Sequence, residues 1–246
     1  MSFAIRFLYS VYAVLAYLIG MGSLIWLIAF LANIVVPKTV DAGPIAPLPQ
    51  SYLTNFVVVA AYLLIHSVMA RSWFKRWWTR FIPPALERAT YVLIAGVTTF
   101  LLVWAWQPMP QTVWHLESPA LVGAIYAIYA FGWVMMLVAS FNIDHFSFFG
   151  LRQMWNAVSG RPAKAVPFTA RFLFAIVRHP ISLGWLTVFW ATPHMSVGHL
   201  LLAVCVSVYI GVVTPIEESD LVTELGEEYV NYKKRVRAIL PWPRRG

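Results

Sequence analysis

The chain has 246 residues, of which 60% are hydrophobic and only 11% charged. Soluble domains hold about 45–50% apolar and roughly 25% charged residues, so this composition excludes an ordinary soluble module and points to a membrane protein. The net charge of +8 does not argue for nucleic-acid binding, because the basic residues sit in short connections between apolar runs rather than on a soluble face.

The first apolar run covers 7–36. It is too long, and lacks the small-residue cleavage site, for a cleavable signal peptide. The connection after it contains KTVDAGP at 38–44, and a second run, 53–70, ends in IHSVMAR. Loop 71–88 then carries Arg71, Lys75, Arg76, Arg80 and Arg88. A third run, 89–107, and a fourth, 119–141, are joined by a connection with no basic residue. These runs are near or above the ~20 residues that cross a bilayer. After Pro180 comes ISLGWLTVFWAT, then the break PHMS, then VGHLLLAVCVSVYIGVV. The piece before the break spans only about 18 Å as a helix, so 181–214 reads as a helical hairpin with one short arm. Beyond it, Leu221, Leu225, Tyr229, Tyr232 and Val236 recur at spacings of three and four, which predicts an amphipathic helix lying under the membrane-embedded part. The fold class expected is all-α, a polytopic membrane helix bundle with about six crossings, forming one integral-membrane domain over 1–246.

With six crossings and both termini inside, 17 of the 18 Lys and Arg residues fall on one side, Lys38 being the exception. The positive-inside tendency makes that side cytoplasmic and places the chain in the cell (inner) membrane. Cys205 is the only cysteine, so an intrachain disulfide and a cysteine-based metal site are both excluded. His115, His194 and His199 map to the outer side without acidic or cysteine partners, and no metal is expected there.

The remaining polar residues concentrate near the inner boundary. Six of the ten acidic residues lie between 217 and 228, and Glu217 and Glu218 emerge directly from the last apolar run. A carboxylate at the membrane boundary needs a partner. Segment 142–155, NIDHFSFFGLRQMW, leaves the fourth run with Asp144, His145, Arg152 and Gln153, and His66 sits near the end of the second. Arg178, His179 and Pro180 precede an apolar helix. Proline suits the first helical turn, and the unpaired N–H groups of a helix N-terminus favour an anion, so RHP is read as a carboxylate or phosphate site.

RHP, a helical hairpin, EExxL, GEEYxxYxxxV and a closing proline together resemble the isoprenylcysteine carboxyl methyltransferase family of integral-membrane methyltransferases. The matching residues are Arg178-His179-Pro180, Glu217-Glu218, Leu221, Gly226-Glu227-Glu228-Tyr229, Tyr232, Val236 and Pro241. KTVDAGP, HSVMAR, WWTRFIPPALERATYVL, DHFSFFGLRQ and FWATPHMSVGHLL extend the resemblance, over most of the chain, to one branch, the methanethiol S-methyltransferases.

The resemblance implies S-adenosylmethionine bound from the cytoplasm. His179, Pro180 and Ser182, with Arg178 beside them, would line its amino-acid end. Glu217 would hydrogen-bond it, and Val166, Pro167, Phe168, Thr169 and Phe174 would form its wall, with Gln153 a looser candidate. Aromatics such as Phe174 and Trp185 could face the sulfonium. Phe174 and Ser182 stand where the family usually has tyrosine, and Val213 stands where prenyl-specific members have an arginine. The last departure favours a small uncharged acceptor such as a thiol, with methanethiol giving dimethyl sulfide. A thiol must lose its proton to react, and Asp144 with His145 is the expected base, His66 the substitute. Two readings stay open beside it: a methyltransferase of the same fold for a larger lipophilic acceptor, and a non-enzymatic membrane protein related to nitrogen-oxide metabolism. The absence of a Gly-rich phosphate loop argues against a nicotinamide-dependent reductase. Small thiol and membrane lipid are thus the expected partners, with no nucleic acid.

Overall fold

In the computed structural model the described residues are 1–162, 168 and 170–241. They form α1 (Phe3–Ala32), α2 (Leu48–Ala70), α3 (Ser72–Trp78), α4 (Pro84–Ala105), β1 (Thr112–His115), α5 (Pro119–Ile143), α6 (His145–Phe148), α7 (Leu151–Val158), α8 (Leu173–Ile176), α9 (Pro180–Trp190), β2 (His194–Ser196), α10 (Val197–Leu225) and α11 (Glu227–Arg235). Five of these, α1, α2, α4, α5 and α10, are long and apolar enough to cross a membrane, and α9 is the short apolar arm. In α2 only 17% of the apolar window is buried, an exposure that requires lipid rather than water around it. Proline marks the helix starts: α4, α5 and α9 begin at Pro84, Pro119 and Pro180, and Pro47 precedes α2. At those positions the missing N–H was unpaired in any case.

The chain divides into two compact units. The first draws its described residues from Met1–Pro110 and Asp144–Val166. Its centre is the crossing of α1 and α4, where small residues let the backbones meet: a Cβ at Gly96 would stand 3.0 Å from the Gly20 nitrogen. Ala13, Ala16, Leu86, Ala89, Met154 and Val158 form a buried core that seats α7 against both helices. At the other end of α4, Asn55 of α2 clamps the Gln107 backbone through both N–H (2.8 Å) and C=O (2.7 Å), and the Trp106 indole donates to the Val40 carbonyl at 3.0 Å.

The second unit draws its described residues from Gln111–Ile143 and Pro167–Gly246. Here α5 packs on α9 through glycines, a Cβ at Gly184 falling 3.1 Å from the Gly132 carbonyl oxygen. The hairpin between α9 and α10 is stapled by His199, whose Nε2 lies 2.9 Å from the Phe189 carbonyl oxygen, while Ser196 caps α10 by accepting from His199 N–H at 3.0 Å. Within the break PHMS between the two arms, His194–Ser196 forms β2. It pairs antiparallel with β1, setting Trp114 against Met195 and His115 against His194. A difference from the expected elements concerns the last apolar run. It does not stop near residue 214 but continues through Pro215 to Leu225, and the amphipathic stripe is split at Gly226 (φ 61°) into the end of α10 and the separate α11. At 1.5 Å per residue, Glu217 and Glu218 sit about 30 Å along α10, one bilayer thickness from its start.

Candidate functional site

In the second unit the sequence around RHP is held by the chain that follows α11. The Arg178 and His179 N–H groups donate to the carbonyls of Arg237 (2.8 Å) and Ala238 (2.9 Å). This fixes the approach to α9, with His179 as its N-cap residue and Pro180 in its first turn. The Arg178 guanidinium engages α10 and the end of α11. It pairs with Glu218 at 2.5 Å and 2.6 Å, donates to the Lys233 carbonyl at 3.2 Å and also reaches the Val236 carbonyl. Carbonyls at the end of a helix lack intrahelical donors, so a buried cation there satisfies both charge and hydrogen bonding. The Arg178 side chain thereby ties Glu218 of α10 to the end of α11.

Glu218 is the hub. Its side chain is 9% exposed and accepts from Arg178, from Lys233 Nζ at 2.9 Å and from His179, whose Nε2 lies 3.3 Å away. Glu217, adjacent in sequence, leaves the helix in another direction, 41% exposed, with one oxygen 3.8 Å from His179 Nδ1. The imidazole therefore stands between two carboxylates. Burial lowers its pKa below the ordinary 6.5, Glu218 pulling the other way and the Arg178 and Lys233 charges adding to the drop, so His179 is neutral at pH 7.

Beside this cluster lies an aromatic face. The Phe168 ring packs 5.9 Å from Tyr229 and 5.1 Å from Tyr232, and Tyr232 donates to the Phe174 carbonyl. Burial, with Glu218 nearby, pushes the Tyr229 hydroxyl up to about 12, and burial beside Tyr229 does the same for Tyr232. Phe174 and Ser182 are half-buried, one on α8 and one in the first turn of α9. Trp185 stacks on Phe189 and meets Trp133 edge-on at 5.4 Å, so its ring serves the α5–α9 contact. Val166, Pro167 and Thr169 lie outside the described residues.

The other candidates belong to the first unit. His145 is 4% exposed. Its Nε2 is 3.0 Å from the Tyr17 hydroxyl, with Phe149 packed against the ring at 4.8 Å. Burial lowers its pKa against the raising influence of Asp144. Asp144 caps α6 by accepting from the Ser147 N–H at 3.1 Å and hydroxyl at 3.0 Å, and it pairs with Arg152 at 2.6 Å. Burial works against the Asp144 carboxylate, but these partners together keep its pKa below the usual value. Its influence on His145 is thus that of a nearby charge. Gln153 donates to the Ser147 carbonyl at 2.9 Å, and its buried Oε1 has no hydrogen bond among the described residues. His66 bonds back to the Tyr62 carbonyl at 2.8 Å and packs tilted against the Tyr62 ring at 4.1 Å, the arrangement of a helix-packing residue.

The sequence reading marked Glu218 as a boundary carboxylate needing a partner but gave it no place in the site, and it overlooked Lys233 and Tyr17. The signal for Glu218 was present, because it continues the four-residue series of buried positions Leu202, Val206, Ile210 and Thr214. No local pattern pairs Lys233 with Glu218, fifteen residues earlier. Tyr17 carries no signal, since its partner lies 128 residues away.

Comparison with known proteins adds to this geometry. The chain is 44% identical to the methanethiol S-methyltransferase of Mycobacterium tuberculosis over 240 residues, 98% of each chain. It is 44% identical to that of Pseudomonas deceptionensis over 215 residues, 87% of this chain and 81% of the relative. A more distant likeness, 27% over 184 residues and 70% of each chain, links it to nurim of Bos taurus. No family model matches the chain, and no solved structure matches it.

Proposed function

Because the chain belongs to the methanethiol S-methyltransferase family, we propose that it methylates methanethiol to dimethyl sulfide, drawing the methyl group from S-adenosylmethionine. The sulfonium donor supplies an activated methyl group; the thiol sulfur forms the new C–S bond as the donor's C–S bond breaks, and the thiol proton leaves. This is an in-line displacement that needs the partners held at ~3–3.5 Å with water excluded.

The observation that carries the cofactor assignment is the polar pair on the second unit. Neutral His179 stands at the start of α9 beside Glu217, a half-exposed carboxylate that the packing leaves outside the Glu218 hub. The chemistry of this set fits the donor. The first-turn N–H groups of α9 suit a carboxylate, Glu217 suits an ammonium or hydroxyl donor, and Phe168 and Phe174 suit a flat apolar base. Arg178 and Glu218 act as positioning residues behind them. The family resemblance assigns Val166, Pro167 and Thr169 to the cofactor as well, and Ser182 offers a hydroxyl where the family usually has a phenol. For the proton, His145 is the base we assign. It is neutral at pH 7 and its Nε2 is oriented by Tyr17, while Asp144 contributes charge and His66 is the substitute. Residues 1–246 act as one enzyme domain in the inner membrane, with both termini and the reaction on the cytoplasmic side.

The test is S-adenosylmethionine binding to detergent-purified protein by isothermal calorimetry, followed by headspace detection of dimethyl sulfide after methanethiol is added. Binding with product is the expected result. Binding without product would redirect the acceptor to a larger lipophilic molecule. A folded protein that binds no S-adenosylmethionine would overturn the enzyme reading.

A further inference from the structure

The connection between α2 and α4 carries a surface that the proposed reaction does not use. Trp73, Trp77 and Phe81 recur every four residues and are 57%, 45% and 68% exposed. They form one ridge along α3 and the turn that prolongs it, where Ile82 N–H bonds the Trp78 carbonyl at 3.1 Å. The rings also hold one another. Phe74 and Trp78 stack at 5.7 Å, Trp77 and Trp78 at 5.8 Å, and Trp77 meets Phe81 edge-on at 5.5 Å. Arg76 and Arg80, one turn apart, run beside this ridge and are exposed. Among the described residues no ion pair engages either of them. The stretch 71–83 contains Arg71, Lys75, Arg76 and Arg80 and no acidic residue.

Three exposed aromatics would be a liability in water. Both ends of this segment, however, are tied directly to helices long enough to cross the bilayer, α2 ending at Ala70 and α4 starting at Pro84. The segment is therefore confined to the membrane–water boundary. Tryptophan concentrates there because an apolar ring and a polar N–H match the headgroup level, and basic side chains there attract anionic lipid.

We propose that α3 and its following turn form an in-plane docking surface for anionic phospholipid, with Trp73, Trp77 and Phe81 seated among the headgroups and Arg76 and Arg80 on their phosphates. A second copy of the chain suits this face poorly, since four like charges would meet four.

The test compares the full-length protein in nanodiscs of phosphatidylcholine alone and of phosphatidylcholine with phosphatidylglycerol. Native mass spectrometry should find phosphatidylglycerol retained in preference to phosphatidylcholine, and the double variant Arg76→Gln/Arg80→Gln should lose roughly tenfold of that preference. An unchanged preference in the variant would overturn the proposal. Hydrogen exchange of the wild-type protein provides a second check that needs no variant. Amides of 72–82 should exchange more slowly in the anionic bilayer, and equal rates in both would also sink it. A variant that turned from dimer to monomer with its lipid preference intact would assign the face to self-association instead.

Discussion

At the scale of single residues, the second unit divides two adjacent glutamates between two tasks. Glu218 is buried among Arg178, His179 and Lys233, whereas Glu217 is 41% exposed, with one oxygen 3.8 Å from His179 Nδ1. Removing one partner of a buried, hydrogen-bonded pair leaves an uncompensated charge and costs about 3–5 kcal/mol. Glu218→Ala should therefore lower the thermal unfolding midpoint in detergent sharply. Glu217→Ala, at a solvent-screened carboxylate, should change stability by less than about 1 kcal/mol while weakening S-adenosylmethionine binding in calorimetry. Equal losses of stability in the two variants would remove the distinction. EE at the end of an apolar run signals that something must pair, but two neighbouring carboxylates point about 100° apart on a helix. Only the packing of α11 and the chain after it decides which one is consumed.

At the scale of elements, close backbone contacts set where the polar segments sit. Gly150 has φ 86°, and a Cβ there would lie 2.5 Å from the Ala89 nitrogen, a main-chain atom of α4 that cannot yield as a side chain can. Its place is structural, since it seats α7 on α1 and α4 and with it the turn carrying Asp144, His145 and Gln153. Gly150→Ala combines an unfavourable backbone conformation with overpacking, for a loss of about 2–4 kcal/mol. Gly123→Ala on α5, where nothing lies within 4 Å of the new methyl, should leave the unfolding midpoint unchanged or slightly raised. Circular-dichroism melts of the two proteins compare them directly. The long helices themselves were legible from apolar runs and prolines. The two β-strands were not, because β1 and β2 are short and become strands only by pairing across about 80 residues of chain. Nor was the end of α10 legible, where the charged stretch PIEESDLVTEL continues the apolar helix to Gly226 rather than starting a new one.

At the scale of the whole molecule, the orientation in the membrane rests on the distribution of Lys and Arg. A membrane-impermeant maleimide applied to intact cells should label Glu117→Cys and should reach Ser159→Cys only after permeabilisation, both in a Cys205→Ala background. Both positions are exposed. Labelling of Ser159→Cys in intact cells would reverse the orientation and with it the cytoplasmic placement of the cofactor site.

What the sequence determined by itself was the class of molecule. Apolar runs long enough to span a bilayer, proline at helix starts, a one-sided basic distribution and the RHP and EE motifs are local or periodic features. They follow from chain chemistry with no knowledge of which segments touch. The family followed from the same motifs and agrees with the relatives that the chain matches over 98% of its length. The tertiary structure alone decided the contacts within the motifs: that Arg178 closes the end of α11, that Glu218 rather than Glu217 is buried, and that Tyr17 meets His145. Each is a contact between residues tens of positions or more apart, or a choice among donors and acceptors of nearly equal strength. Burial settles such choices, because a buried polar group must find a partner and the nearest one belongs to another helix.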